Sequence, residues 1–239
     1  MRRLKILLYT DSRGKRIRSK VHNLMQDHKH YSDRLLDVAD VDRFLCPEQK
    51  TTTIDFIRTI ESKNLNNYDW VVLHTSVVEN SPRLKLDVYE QIYKDPLKKP
   101  YFDRVFGEEN MKKHMLVSGF GKDYLYEGER TWNMFTKDMG VKFLIPRLER
   151  INNLIWISNN PLVGGNGESW RGCYWKDRPK NMQIVNEYSK EYIKNMKRTS
   201  VIDFTKWSDY EIKKYTVDNI HYTKEGSDLV FSKIMDIIR

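Results

Sequence analysis

Two short segments at opposite ends of the chain carry the residue types of nucleophilic catalysis: Asp11-Ser12-Arg13-Gly14 and Asp218-Asn219-Ile220-His221. A serine hydroxyl is a poor nucleophile at neutral pH. It needs a base within hydrogen-bond reach, and the base needs a third group to fix its tautomer. On a loop, the spacing of Asp218 and His221 lets the carboxylate reach one imidazole nitrogen while the other faces out. Singly, each segment has an ordinary reading: Asp-Ser after a strand caps a turn, and an Asp-x-x-His spacing arises by chance. Together, on suitable elements, they favour catalysis, with Ser12 as nucleophile, His221 as base and Asp218 as the group that orients it.

The elements must therefore bring residues 12 and 221 together. Residues 4–9 (LKILLY) form a short apolar run ending in a turn, which predicts a buried first strand. Helical spacing follows over 15–30, a strand over 35–41, a helix over 51–64 with Thr51 to Thr53 as caps, and a third buried strand over 69–74. This β-α-β-α-β order predicts a parallel sheet with helices on its faces. The pattern then breaks: about 80–127 is rich in Pro, Lys and aromatics and reads as an inserted segment of short helices, a candidate lid. A helix over 129–139 closed by Gly140, a strand over 154–158, a helix over 181–196, a strand over 200–204 and a last helix over 224–238 complete a five-stranded α/β sandwich. One domain spanning 1–239 is the simplest account. In such a sheet ligands bind at the carboxyl ends of the strands. The turn after the first strand lies there, and the loop before the last helix reaches it.

These residues carry a resemblance. The sequence is similar to the SGNH, or GDSL-like, hydrolase superfamily, whose serine sits in a Gly-Asp-Ser turn after the first strand and whose Asp and His form Asp-x-x-His near the C-terminus. Thr10-Asp11-Ser12 and Asp218 to His221 occupy those places, and DNIHYTKEGSDLV, entering a helix through Thr223 and Gly226, resembles the closing segment well. The resemblance follows element order along nearly the whole chain, with its motifs at the two ends. It implies a flavodoxin-like three-layer α/β/α fold and a serine esterase needing no cofactor. Glycan O-acetyl esterases are among the members, which implies an acyl, O-acetyl, ester of a carbohydrate-like substrate. Other members transfer acyl groups, so an O-acyltransferase modifying a glycan is the alternative, together with a non-catalytic glycan- or nucleic-acid-binding protein on the same fold.

The middle of the chain departs from that pattern. The family has Gly-x-Asn-Asp after its third strand, where the Asn helps form the oxyanion hole; here the stretch is Ser76-Val77-Val78-Glu79, followed by Asn80-Ser81-Pro82-Arg83. The oxyanion is then expected to meet backbone N–H groups of Ser12 and of the loop near Ser76, with Asn159 or Asn160 completing the hole. Removing one such donor typically costs about two to three orders of magnitude in rate. Arg13 and Arg83 are the candidate substrate-binding cations, and Glu79 is a loop carboxylate that could act through Arg83. His74, ending an apolar strand, reads as a core histidine; His22, His28 and His30 read as surface residues. The loop 159–179 holds Trp170, Tyr174 and Trp175 with Arg171, Lys176 and Arg178 between them. Aromatic faces stack on sugars and Arg binds anions in two-pronged fashion, so Trp170, Arg171 and Trp175 are candidate substrate contacts; packing of the loop onto the domain carries equal weight.

Composition narrows the rest. With 42 Lys and Arg against 33 Asp and Glu, the net charge is +9, which attracts anions without choosing among them. No long basic stripe is present, which makes nucleic acid an unlikely partner and a small-molecule or glycan ester the expected one. Cys46 and Cys173 make no Cys-x-x-Cys pair, and no cluster has metal-ligand spacing. The apolar run after Arg2, Arg3 and Lys5 is too short for a signal peptide and no stretch is long enough for a membrane span. A cytoplasmic location is the expectation.

Overall fold

The computed structural model describes all residues except 1, 17, 20–23, 26, 27, 49, 117–124, 127 and 164–178. Five parallel strands form the central sheet: β1 (Leu4–Thr10), β2 (Ala39–Leu45), β3 (Trp70–His74), β4 (Leu154–Ile157) and β5 (Ser200–Ile202). Their spatial order is β5-β4-β3-β1-β2, so the first strand lies inside the sheet. Ile6, Leu7, Leu8 and Tyr9 are all fully buried, as a strand covered on both faces requires. Alternate side chains feed two cores. Leu7, Tyr9, Val71, Leu73, Leu154 and Trp156 face one; Ile6, Leu8, Val72, Ile155, Ile157 and Ile202 face the other.

Against the first face pack α2 (Thr53–Glu61), α5 (Lys99–Phe106), α6 (Glu108–Leu116), α8 (Ile145–Leu148) and α9 (Pro179–Asn195). Against the second pack α1 (Tyr31–Val38), α10 (Asp209–Tyr215) and α11 (Lys224–Ile238). The three-layer α/β/α expectation holds. Two starts explain themselves locally. Thr52 caps α2: its side chain accepts from the Asp55 N–H, and the Asp55 carboxylate accepts in return from the Thr52 N–H, a reciprocal capping box. Thr223 caps α11 by accepting from the Gly226 N–H. A Cβ on Gly226 would lie 2.1 Å from the Tyr215 carbonyl oxygen, so that close approach needs glycine.

Between β3 and β4 the described chain holds α3 (Val77–Asn80), α4 (Lys85–Ile92), α5, α6, α7 (Lys137–Met139) and a π-helical stretch Gly140–Leu144 that runs into α8. A small antiparallel sheet joins Arg83–Leu84, Glu129–Trp132 and Leu125–Tyr126. Short helices were expected here; the sheet was not.

Three local expectations need correction. Residues 35–41 are not one strand: the apolar run straddles the junction of α1 and β2, with Leu35 buried on the helix and Ala39 beginning the strand. Over 129–139 the helix is replaced by the strand Glu129–Trp132, and helical structure starts only where Thr136 accepts from the Met139 N–H. Gly140 does not close that helix. It continues it with right-handed helical backbone into the stretch Gly140–Leu144, and it is glycine where a Cβ would lie 2.1 Å from the Tyr192 hydroxyl. Within 15–30, Arg18–Ser19 pairs antiparallel with Leu24–Met25 in place of the expected helix. Among the described residues no helix is long and apolar enough to cross a membrane.

Candidate active site

β1 ends on a tight turn. The Asp11 N–H donates to the His74 carbonyl at 2.9 Å, carrying the β1–β3 pairing one residue past Thr10, and the Asp11 carboxylate accepts from the Arg13 N–H at 3.0 Å. The turn of 3-10 helix Ser12–Gly14 follows, with Ser12 half-buried at the carboxyl edge of the sheet.

The second segment arrives from the loop between α10 and α11. Its turn is closed by the Val217 N–H donating to the His221 carbonyl at 2.8 Å. Asn219 takes a left-handed backbone (φ 71), a conformation Asn tolerates better than most residues. Its side-chain oxygen accepts from the Val163 N–H at 2.8 Å, and its carbonyl accepts from Asn160 Nδ2 at 2.9 Å. Inside this turn, Asp218 Oδ1 accepts from the N–H groups of Ile220 and His221 at 3.1 and 2.8 Å, which leaves Oδ2 aimed at the imidazole.

The two segments meet. Ser12 Oγ lies 2.8 Å from His221 Nε2, and His221 Nδ1 lies 2.6 Å from Asp218 Oδ2. Burial alone would raise the Asp218 pKa. The nearby His221 charge, the ring hydrogen bond and the two backbone N–H groups outweigh it, and the carboxyl sits below its ordinary value. An ionised carboxylate only accepts, so it holds the proton on Nδ1 and leaves Nε2 to accept from the Ser12 hydroxyl.

Beneath Ser12 lies a buried polar network that ties three strand ends together. Arg13 is 1% exposed and pairs with both Asp11 oxygens, through Nε at 3.0 Å and Nη2 at 2.9 Å. It also donates to Asn159 Oδ1 at 2.6 Å and to the Thr75 carbonyl at 2.5 Å. Arg13 is therefore not the substrate-binding cation expected from the sequence, because its guanidinium faces inward and is engaged. Asn159 is corrected too. Its Nδ2 donates to Ser76 Oγ at 2.8 Å and to Ser189 Oγ at 2.9 Å, so both amide hydrogens are taken. Asn160 likewise donates inward, to the Asn219 and Pro161 carbonyls. Ser76, the first residue after Thr75 on the β3 edge, is 2% exposed and left-handed (φ 88).

Arg83 is half-buried on its short strand, opposite Trp132. Glu79 is fully buried, and its hydrogen bonds come from Thr53 N–H at 2.9 Å and from the Thr53 hydroxyl. His74 is the core histidine expected, held by the hydroxyls of Tyr31 at 2.8 Å and Tyr222 at 3.1 Å. His30, expected at the surface, is 1% exposed under Tyr31 and Tyr222, and burial brings its pKa down to about 3. Trp170, Arg171 and Trp175, with Cys173 and Tyr174, lie outside the described residues. Sequence reading missed Thr75, Ser189 and the roles of Asn160 and Asn219. No local pattern marks residues that meet only across strand ends.

Ser12, His221 and Asp218 thus converge at the carboxyl edge of a parallel sheet in an α/β/α fold. Neither a family model nor a curated protein sequence matches the chain. Solved structures do. The lipase/acylhydrolase from Enterococcus faecalis aligns at TM-score 0.52 and 14% identity, over 98% of this chain and 95% of its own. A catalytic mutant of an acetylxylan esterase from Geobacillus stearothermophilus aligns at TM-score 0.49 and 14% identity, over 98% and 94%. The fold is that of the SGNH, or GDSL-like, hydrolases, reached by a divergent sequence.

Proposed function

We propose that this chain is a serine ester hydrolase that removes short acyl groups, O-acetyl foremost, from a carbohydrate-like substrate. The observation that carries the proposal is the continuous hydrogen-bonded line from Ser12 Oγ through His221 to Asp218. Ser12 attacks the acyl carbonyl while His221 Nε2 takes its proton, and Asp218 stabilises the imidazolium so formed. His221 then returns the proton to the departing sugar oxygen, leaving an acyl-Ser12 ester. Water, deprotonated by the same nitrogen, cleaves that ester and restores the hydroxyl. Among the described residues the N–H groups of Ser12 and Ser76 donate to no other group, which suits them to the oxyanion. The acyl and sugar preference is supported by the superfamily resemblance and by the ring and cation content of residues 159–179. The lipase/acylhydrolase neighbour agrees with ester chemistry as a class.

Turnover of p-nitrophenyl acetate tests the reading, followed by acetate release from an O-acetylated oligosaccharide. Ser12→Ala and His221→Ala should each lower kcat by at least about a thousandfold, the scale of removing a triad member. Wild-type turnover no greater than that of either variant would overturn the esterase reading. It would leave an acyltransferase that needs its own donor, or a binding protein on this scaffold.

A further inference from the structure

The stretch Ser76-Val77-Val78-Glu79 after β3 holds no Asn to supply a side-chain donor to the oxyanion, yet the hydrogen bonds around Ser76 leave one hydrogen without an acceptor. Arg13 determines which one. A guanidinium has donors only, so the Asn159 atom 2.6 Å from Arg13 Nη1 must be the amide oxygen. That fixes the Asn159 amide, whose two ends are otherwise interchangeable, and turns Nδ2 toward Ser76. Nδ2 also only donates. Ser76 Oγ, 2.8 Å away, must therefore accept, and its own hydrogen points elsewhere. Ser76 precedes α3, but its side chain makes no capping hydrogen bond. Among the described residues the hydroxyl hydrogen meets no acceptor.

The position of Ser76 fits a role beside the nucleophile. Thr10 of β1 and His74 of β3 are paired in register. Ser12 and Ser76 each follow that pair by two residues, just past the ends of neighbouring strands, whose spacing is about 4.8 Å. The Ser76 backbone is held at φ 88, strained for a residue with a Cβ, and non-glycine strain of this kind concentrates at functional sites.

We propose that the Ser76 hydroxyl is a catalytic oxyanion donor, taking the place of the absent Asn side chain. Asn159 is the positioning residue that makes Ser76 accept on one side and donate on the other, and Arg13 fixes Asn159. This rests on the esterase reading above.

Ser76→Gly separates the catalytic from the structural role. Glycine adopts a positive φ without strain, so the variant should melt no lower than wild type. Losing the donor should still lower kcat about 100- to 1,000-fold, with KM changed less than about threefold. Asn159→Asp is the second arm. The carboxylate introduced by that substitution accepts from the Ser76 hydroxyl and draws its hydrogen off the oxyanion, so kcat should fall by a similar factor with Ser76 still present. The double variant should be no slower than the worse single, because both remove the same hydrogen bond.

Unchanged kcat in a folded Ser76→Gly protein that still needs Ser12 overturns this inference and leaves the esterase reading standing. Should Ser76→Gly fold poorly, unchanged kcat in Asn159→Asp overturns it instead. Losses that multiply in the double variant also overturn it, since they mark two independent structural effects. Full activity in Ser12→Ala removes the esterase reading, and this inference with it.

Discussion

Replacing Glu79 by glutamine should stabilise the protein increasingly as pH rises from about 4.5 to about 7. Glu79 is fully buried on α3, with Oε1 accepting from Thr53 and Oε2 without a partner. Burial is the largest influence on its carboxyl; the Thr53 hydrogen bonds oppose it, the Asp11 charge adds to it, and the pKa rises from 4.5 to about 7. Below pH 4.5 the group is protonated both in the folded and in the unfolded chain. As pH rises above that, the unfolded chain ionises first and stability is lost progressively until pH reaches about 7, where the folded protein ionises too. At about 1.4 kcal/mol per pH unit, the loss across this window is about 3 kcal/mol. Glutamine keeps an oxygen for the Thr53 N–H and does not titrate. In thermal unfolding the two proteins should nearly coincide at pH 4.5. By pH 8 the variant should melt higher by roughly 6–12 °C, the scale for a chain of this size. The buried histidines are common to both proteins and cancel in the difference. A variant less stable than wild type at pH 8, with the deficit shrinking toward pH 4.5, would refute the reasoning, because it would mean that Glu79 is ionised and satisfied in the fold.

Two further substitutions probe the supports of the site. Arg13→Met strands the Asp11 carboxylate in the interior and should cost about 3–5 kcal/mol in denaturant unfolding; adding Asp11→Asn should recover part of it, and a cost under about 1 kcal/mol would show that the ion pair is not needed. Gly226→Ala brings a Cβ to 2.1 Å from the Tyr215 carbonyl oxygen. Overpacking of that kind should lower stability by about 1–3 kcal/mol, read by calorimetry, whereas an unstrained helix position would gain about 1 kcal/mol from alanine.

The elements that position the site were visible in the sequence where the signal was local. The apolar runs at 4–9, 69–74, 154–158 and 200–204 became strands, and the last helix falls at Lys224–Ile238 as its Thr223 cap and apolar spacing required. The meeting of Ser12, Asp218 and His221 was legible because each sits in a motif a few residues long. The first helix and second strand were misjudged because one apolar run, 35–41, serves both, and hydrophobicity does not mark the joint. The network beneath Ser12 was illegible for another reason. Arg13 meets Asn159 across 146 residues, and Asn159 meets Ser76 across 83. An Arg beside a loop serine reads as a ligand contact until the fold shows which way it faces.

The Ser12–His221 hydrogen bond spans 209 residues. Synthesis runs from the N-terminus, so the serine leaves the ribosome well before its base. Until α10 and α11 seat the Asp218–His221 turn against β1, the hydroxyl is an ordinary alcohol, inert toward esters at neutral pH. On the catalytic reading, reactivity is therefore withheld from nascent, truncated and half-folded chains alike. Labelling of Ser12 by a fluorophosphonate would then count finished molecules, and its time course during refolding would follow the final closure of the chain.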